Sequence, residues 1–527
     1  MWQRFWLALR NLNEQYYFDY FLVFLIGLVL FGWLQAAPTL AEPDSFYHAK
    51  MAQIAGSGQI LHVFPWLQQT PLKSVFVDHH FLYHIFLIPF VKWLDPLLGV
   101  KLATVIFAAF AVLTVYWLFK QFKLKYPFLF LVFLLLCQPW LFRASLVKAP
   151  VVFLIFLLLA FYCLAHQKWL GLFLISFSGV WLYGAWPLLL VMAVLYAAIN
   201  WFLEKIRREE SIWYKIRDLL RKKRTVAWPG ALYTLGGIIA GLVINPYFPA
   251  NIKFYGQQII DIALINYQKV IAVGGEWYPY GFLHLISDAP LICALLLASL
   301  LLFVLTVSKQ SIYSWVWGIL AVVFLIFTLK SRRQVEFFAP CTVIFAAFCF
   351  NDYFKKLSAF HLRVLLSMGW QTFFAVSLLV LGAGFVLQAP SNLIRAKQDL
   401  SNGWPITHYQ KSAGWLKNNA PAGAIVFNAD WDDFPALFYY NSQNYYLSGL
   451  DPTFMYRENP SKYQQYVKIS LGEVQQNLDQ LIGGVFNASY VFLDQNHGNF
   501  KRQLEYNGHF KKVYEDSEAL IYQLVVR

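Results

Sequence analysis

Over residues 1–390 the chain is a succession of long apolar runs separated by short polar loops; beyond residue 390 the apolar runs shorten and alternate with polar stretches. A helix that crosses a bilayer takes about 20 mostly apolar residues. Runs of that kind cover 19–40, 98–119, 126–142, 149–165, 169–184, 185–203, 229–247, 286–307, 312–329, 335–352 and 366–389, with only Gly184 and Pro187 dividing 169–184 from 185–203. A further apolar stretch, 79–97, is assigned from charge. Lys120, Lys123 and Lys125, the basic segment 204–224, and Lys355, Lys356 and Arg363 belong on the cytoplasmic side. If 79–97 crossed the bilayer, the lysines at 120–125 would fall outside. If it lies along the outer surface or re-enters, every basic loop and the N-terminus with Arg4 and Arg10 fall inside. The second arrangement is the one expected. It places 391–527 outside.

The tail reads differently. Ala424–Phe427, Tyr490–Leu493 and Ala519–Tyr522 have the pattern of buried strands, Trp415–Lys417 ends a helical segment, and 472–484 reads as helix. The expected fold class is therefore a polytopic α-helical membrane protein with about 11–13 transmembrane helices, followed by a C-terminal extracytoplasmic α/β domain. The expected division is a membrane domain 1–390, with external loops 41–78 and 248–285, and a soluble domain 391–527 entered through a linker at Gln388–Ser401.

Composition agrees. Hydrophobic residues make up 59% of the 527 and charged residues 13%, where soluble domains carry about 25% charged residues. The net charge of +14 follows from basic cytoplasmic loops. No nucleic-acid module accompanies it, so no nucleic-acid partner is expected. The five cysteines all lie in apolar segments, which argues against a disulfide framework. The first apolar run lacks a small-residue cleavage site and is expected to remain as a span.

Charge on the outer side runs against the topology bias and needs another reason. Four outer segments carry it: 41–78, 140–150 with Arg143 and Lys148, 248–285 with Glu276, and Ser331–Arg333 followed by Glu336. An anionic ligand is the simplest reason for outer cations. Asp44 and His48 are spaced to share one helical face. Asp44 reads either as a general base or metal-binding carboxylate, or as the acid of a helix start in Pro43-Asp44-Ser45. Asp78, His79 and His80, with His84, give a metal-like histidine pair at i, i+4, or an interfacial helix with water-facing histidines; a place in the same cavity is open to them. Glu276 stands in Gly274-Gly275-Glu276-Trp277, where glycines let the backbone approach a ligand and Trp277 can stack on a sugar; an exposed loop acid is the other reading. Arg332 and Arg333 offer a guanidinium fork for phosphate, or snorkel to headgroups; Arg143 and Lys148 are read the same way. In the tail, Asp430-Trp431-Asp432-Asp433 follows a strand and either shapes a substrate site or forms a turn.

Three local patterns go further. Pro43–Lys50 places an acid before an aromatic and a basic residue just after the first span. Glu276-Trp277-Tyr278-Pro279 is followed by Asp288-Ala289-Pro290. Ala424–Asp432 is a strand leading into a Trp431-Asp432 pair. Together they resemble the membrane glycosyltransferases of the C-type (GT-C) fold, most of all the catalytic subunit of oligosaccharyltransferase, with protein O-mannosyltransferases and aminoarabinose transferases as relatives. The resemblance implies transfer of a sugar or oligosaccharide from a polyprenyl-phosphate or polyprenyl-diphosphate donor to a protein or glycan acceptor. It implies a site facing the outer, periplasmic side of a bacterial inner membrane. Asp44 and Glu276 would be catalytic, and would hold a divalent Mg or Mn ion if one is used. Arg332, Arg333, Arg143 and Lys148 would bind the donor phosphate. His48, Asp78, His79, His80, Trp277, Trp431 and Asp432 would line the acceptor side. One departure stands out: the family's second acidic motif falls at Phe142–Lys148, which contains no acid. Two other classes remain open, a flippase for lipid-linked glycans, which calls for inverted repeats and broken helices, and a non-catalytic assembly protein of the same fold.

Overall fold

The first apolar helix, Phe18–Leu34, ends earlier than its apolar run suggests. Thr39–Leu40 turn instead into a short strand, β1, paired antiparallel with β2 (Trp404–Pro405). The computed structural model describes residues 17–210, 228–265, 267–355 and 388–525. Among these, four helices are individually long and apolar enough to cross a membrane: Pro96–Gln121, Pro187–Ile206, Ile312–Lys330 and Arg332–Lys355. Two bent pairs reach that length together, and five shorter apolar helices complete the bundle. The last expected span, 366–389, lies almost wholly outside the described residues.

The bends have a local cause. Pro127–Leu135 and Gln138–Ala144 meet at 79°, where Pro139 can neither donate a backbone N–H nor let the preceding residue stay comfortably helical. The Leu136 carbonyl freed there accepts from the Asn392 side chain at 2.9 Å. Asn392 belongs to a helix over 388–401, so the expected linker is an ordered element packed against the break. The second bend, 105°, separates Phe282–Asp288 from Pro290–Leu305 and again falls at a proline. Both bends redirect the chain so that charged residues at helix ends converge. Trp169–Leu182 spans only about 21 Å at 1.5 Å per residue. It packs tightly on Trp228–Val243: a Cβ at Gly241 would come within 2.6 Å of the Phe177 carbonyl oxygen. This is the close small-residue approach that holds helices together where no hydrophobic drive exists.

Phe81–Trp93 is a helix of its own, separated from Pro96–Gln121 by Asp95, whose carboxylate accepts from the Leu97 and Leu98 N–H groups. It packs beside Asp44–Gly56. That helix starts where the sequence suggests, with Asp44 in its first turn, a favourable place for a negative charge. It is buried between bundle and tail, with Phe46 set edge-on to Tyr439 and tilted against Tyr440.

The tail holds a five-stranded sheet. β3 (Ile425–Asn428) is flanked in parallel by β4 (Tyr445–Tyr446) and β5 (Tyr490–Asp494); β7 (Ala519–Leu524) and β6 (Phe510–Glu515) continue it antiparallel, in the order β4-β3-β5-β7-β6. Part of the expected helix 472–484 is absent: the helical turns begin at Leu478. The loop before Asp78 adds to the sheet edge, with the Gln68 N–H donating to the Tyr446 carbonyl and the Tyr446 N–H to Trp66, both at 2.8 Å. The tail is thus stitched to the first loop of the bundle.

Candidate active site

Charges far apart in sequence meet where the bundle faces the tail. Arg143, at the end of the bent helix pair, donates to Glu276 at 2.5 Å, to Glu336 at 3.0 Å and to Glu42 at 3.4 Å. Lys148 reaches Asp44 at 3.1 Å, Glu276 at 3.2 Å and also Glu42. Arg333 donates to the other Glu276 oxygen at 3.0 Å and to the Tyr183 hydroxyl at 3.1 Å. Three cations and four carboxylates form one network with Glu276 as its hub. The Arg143 side chain is only 6% exposed, so these pairs are poorly screened. Burial pushes the Glu276 carboxyl up, but Arg333, Lys148 and Arg143 outweigh it and hold it well below the usual range. Glu42 goes the other way: burial, with Glu276 and Asp44 close, outweighs its cations and raises it. Burial alone would lower the Lys148 ammonium; Glu276, Glu42 and Asp44 raise it instead.

Two cavities flank the Glu276–Arg333 pair. One, of about 230 Å³, is lined by Asp44, His48, His79, His80, Lys148 and Tyr183 among others. The second, of about 650 Å³ and more open, collects Arg143, Arg332, Arg333 and Arg395. Arg332 is exposed on this side; its Nε donates to the Pro279 carbonyl at 3.2 Å, and its terminal nitrogens have no hydrogen-bond partner among the described residues. Trp277 departs from the expected sugar platform, since the Arg333 guanidinium sits 4.3 Å over its ring and already covers one face.

The histidines do not form the metal-like pair that their spacing suggests. His84 Nδ1 lies 2.6 Å from Asp78, and His84 Nε2 lies 2.8 Å from His48 Nδ1. His80 stacks on Tyr183. Burial lowers His79 to about 4 and puts His48 and His80 well below the ordinary imidazole value.

In the tail, Trp431 approaches the glutamate loop: a Cβ on Gly274 would lie 3.7 Å from its ring. Trp431 and Asp432 nevertheless do not line the smaller cavity, to which the tail contributes Leu450, Asp451 and Phe454. Tyr183 and Asp451 carry no sequence signal, because a tyrosine near the end of an expected span and an acid before Pro452 look like ordinary boundary residues. Glu42 and Glu336 are legible in the sequence as acids beside apolar runs, but not as the partners of Arg143.

The fit of a divalent cation to Asp44 and Glu276 is decided by Lys148. Its ammonium lies among Glu42, Asp44 and Glu276, the carboxylates such an ion would need, and among the described residues no group of three or more His, Cys, Asp or Glu side chains is arranged to hold a metal. The residues present do not fit the ion.

No family model and no curated protein matches this sequence. Solved structures match in three dimensions. The Archaeoglobus fulgidus oligosaccharyltransferase in its apo form aligns with TM-score 0.61 at 14% identity, over 97% of this chain and 75% of that one. The chain has the GT-C fold. ArnT from Cupriavidus metallidurans bound to undecaprenyl phosphate aligns with TM-score 0.53 at 13% identity, over 95% of this chain and 97% of that one. The mycobacterial arabinofuranosyltransferase AftD gives 0.51 at 9% identity, over 96% of this chain and 40% of that one. At these identities the likeness establishes architecture, a helical membrane bundle with a C-terminal sheet domain, and the site must be argued from its own residues.

Proposed function

We propose that this protein is an integral-membrane glycosyltransferase that takes a sugar from a polyprenyl-phosphate or polyprenyl-diphosphate donor at the outer face of the membrane. The observation that carries the reading is the convergence of Arg143, Lys148 and Arg333 with Asp44 and Glu276 between two cavities. Its support from fold is that neighbours of the same architecture hold such lipids: ArnT is bound to undecaprenyl phosphate, and an archaeal oligosaccharyltransferase is in complex with an inhibitory peptide and a dolichol-phosphate.

The chemistry follows from the charges. Breaking a glycosyl–phosphate bond leaves its electron pair on phosphate oxygen. Cations fixed in a partly dry site stabilise that charge far better than water does. Arg332 and Arg395 line the larger cavity with Arg143 and Arg333, so it receives the donor phosphate. Lys148, held by acids on the opposite side, supplies fixed positive charge that needs no metal, and no step is assigned to one. Glu276 keeps the three cations in register and separates donor from acceptor. Asp44, with one oxygen on Lys148, orients the acceptor in the smaller cavity. Trp431 braces the glutamate loop from the tail.

The test uses a deletion strain restored with wild type or Asp44→Asn. Glycan and glycolipid profiles should change on deletion, return with wild type, and stay changed with the variant, at a transfer rate lower by roughly a hundredfold or more. A flippase would tolerate Asp44→Asn and keep moving its lipid. An unchanged profile in the deletion strain contradicts the enzyme reading.

A further inference from the structure

We propose that His48 is the proton acceptor for the incoming nucleophile, oriented by a chain running Asp78–His84–His48, and that the nucleophile is therefore a saccharide hydroxyl rather than a carboxamide. The inference rests on the glycosyltransferase reading above.

Hydrogen-bond partners set the tautomers along this chain. Asp78 already accepts from the His80 backbone N–H at 3.0 Å through one oxygen and faces His84 Nδ1 at 2.6 Å with the other. A carboxylate there requires a proton on Nδ1. With the imidazoles neutral, His84 Nε2 is then an acceptor, and His48 Nδ1, 2.8 Å away, must donate to it. That leaves the lone pair of His48 on Nε2. His48 lines the smaller cavity one helical turn from Asp44, and Nε2 has no hydrogen-bond partner among the described residues. Asp78 and His84 are themselves almost fully buried, 5% and 0% exposed, so water does not compete for the chain. This is how a third group orients a base in hydrolytic triads, here lengthened by one imidazole.

Two features suit a sugar hydroxyl. A hydroxyl attacks with its own lone pair and needs only a proton acceptor, which a neutral imidazole supplies, whereas a carboxamide nitrogen has its lone pair delocalised into the carbonyl and needs that conjugation broken as well. Tyr47 and Tyr183 give the cavity aromatic walls of the kind that pack on a pyranose. In the step, the acceptor oxygen bonds to the anomeric carbon and the bond from that carbon to phosphate oxygen breaks. The electron pair leaves on phosphate, and the hydroxyl proton moves to His48 Nε2, from which water later removes it. The groups facing His48 are His79, His80, His84, Tyr47 and Tyr83, with Asp44 on its own helix and Lys148 across the cavity. Burial, with His84, Lys148 and His79 nearby, holds His48 well below 6.5, so the base form is available at neutral pH.

The experiment adds purified full-length protein to membranes of the deletion strain and follows consumption of the accumulated glycolipid by mass spectrometry. Wild type should consume it, with an acid limb well below pH 6.5. His48→Ala should lose roughly 10²–10⁴-fold in turnover and regain part of it with added imidazole. Asp78→Asn should lower kcat more than KM and displace the acid limb. His48→Gln, which keeps a side-chain amide near His84, guards against a folding artefact and should remain slow while eluting as wild type does in size exclusion. Full activity of His48→Ala or His48→Gln with active wild type overturns the base assignment alone. A product carrying the sugar on an asparagine side chain overturns the hydroxyl assignment. Inert wild type overturns the enzyme reading and the relay with it.

Discussion

Two carboxylate clusters stand in this molecule, and they hold protons oppositely. At the face of the bundle, Glu276 is shared by Arg143, Lys148 and Arg333, and its carboxyl is held well below the usual range. In the tail, Asp430, Asp432 and Asp433 follow β3 with no arginine or lysine beside them among the described residues. Asp433 is buried, with one oxygen accepting from the Tyr409 hydroxyl at 2.9 Å and the other without a hydrogen-bond partner among the described residues. Burial and Asp430 push Asp432 up to about 7, and burial with both neighbours lifts Asp433 further. One cluster belongs to the bundle and the other to the tail, and Trp431 and Gly274 bring their loops into contact. The contrast separates two uses of acids. Where cations converge, carboxylates stay ionised and hold the positive charge in place. Where none do, carboxylates become proton carriers and hydrogen-bond donors, and a strand end that resembles an acceptor motif reads better as a structural, pH-sensitive corner.

The strongest way to break this contrast is to remove the shared cation. Arg143→Ala leaves Glu276 and Glu336 buried without their closest partner, and should cost about 3–5 kcal/mol, as for other broken buried pairs. Thermal unfolding in detergent measures it. A loss below about 1 kcal/mol would place Arg143 among exposed, weakly coupled pairs.

A smaller effect sharpens the other half. Asp432 has a folded value of about 7 against the usual 3.8, so between those values the folded state binds more protons than the unfolded one. Stability should then fall as pH rises from 5 to 8. His497, raised by Asp494 against the lowering effect of burial, adds to the same slope, since its stabilisation is lost as pH climbs through its folded value. Glu276 contributes nothing in that window, because a depressed acid loses its stabilisation only as pH falls below about 4.5 toward its folded value. Asp432→Asn should flatten the slope by about 1–3 kcal/mol after allowing for partial solvent screening. An unchanged slope would move the proton-binding groups elsewhere.

The apolar segments were legible because a long apolar run has few alternatives to a membrane helix. Their ends were not. Thr39–Leu40 leave the first run to pair with Trp404–Pro405, a partner more than 360 residues away. The break before Pro139 could be suspected from the proline, but not its 79° angle. β6 escaped notice because Lys511, Lys512 and Glu515 make it a polar edge strand, and β4 because it is two residues long. At the site, the charges that break the topology bias in the sequence are ones the fold brings together. Arg143 and Glu276 are 133 positions apart, and no local pattern joins them. The spacing of His80 and His84 pointed to a metal pair, whereas the fold turned His84 toward Asp78 and His48.

The arginine-bounded cavity is the proposed seat of the donor phosphate, and undecaprenyl phosphate is its direct probe. Thermal unfolding of the purified protein should be followed with undecaprenyl phosphate, with uncharged undecaprenol, and with both again for Arg332→Gln, which touches none of the buried pairs. Undecaprenyl phosphate should stabilise wild type, by about 2.7 kcal/mol at a hundredfold excess over Kd, while undecaprenol should not, and Arg332→Gln should remove most of the gain. Equal stabilisation by the alcohol, or a gain untouched by Arg332→Gln, would contradict the account.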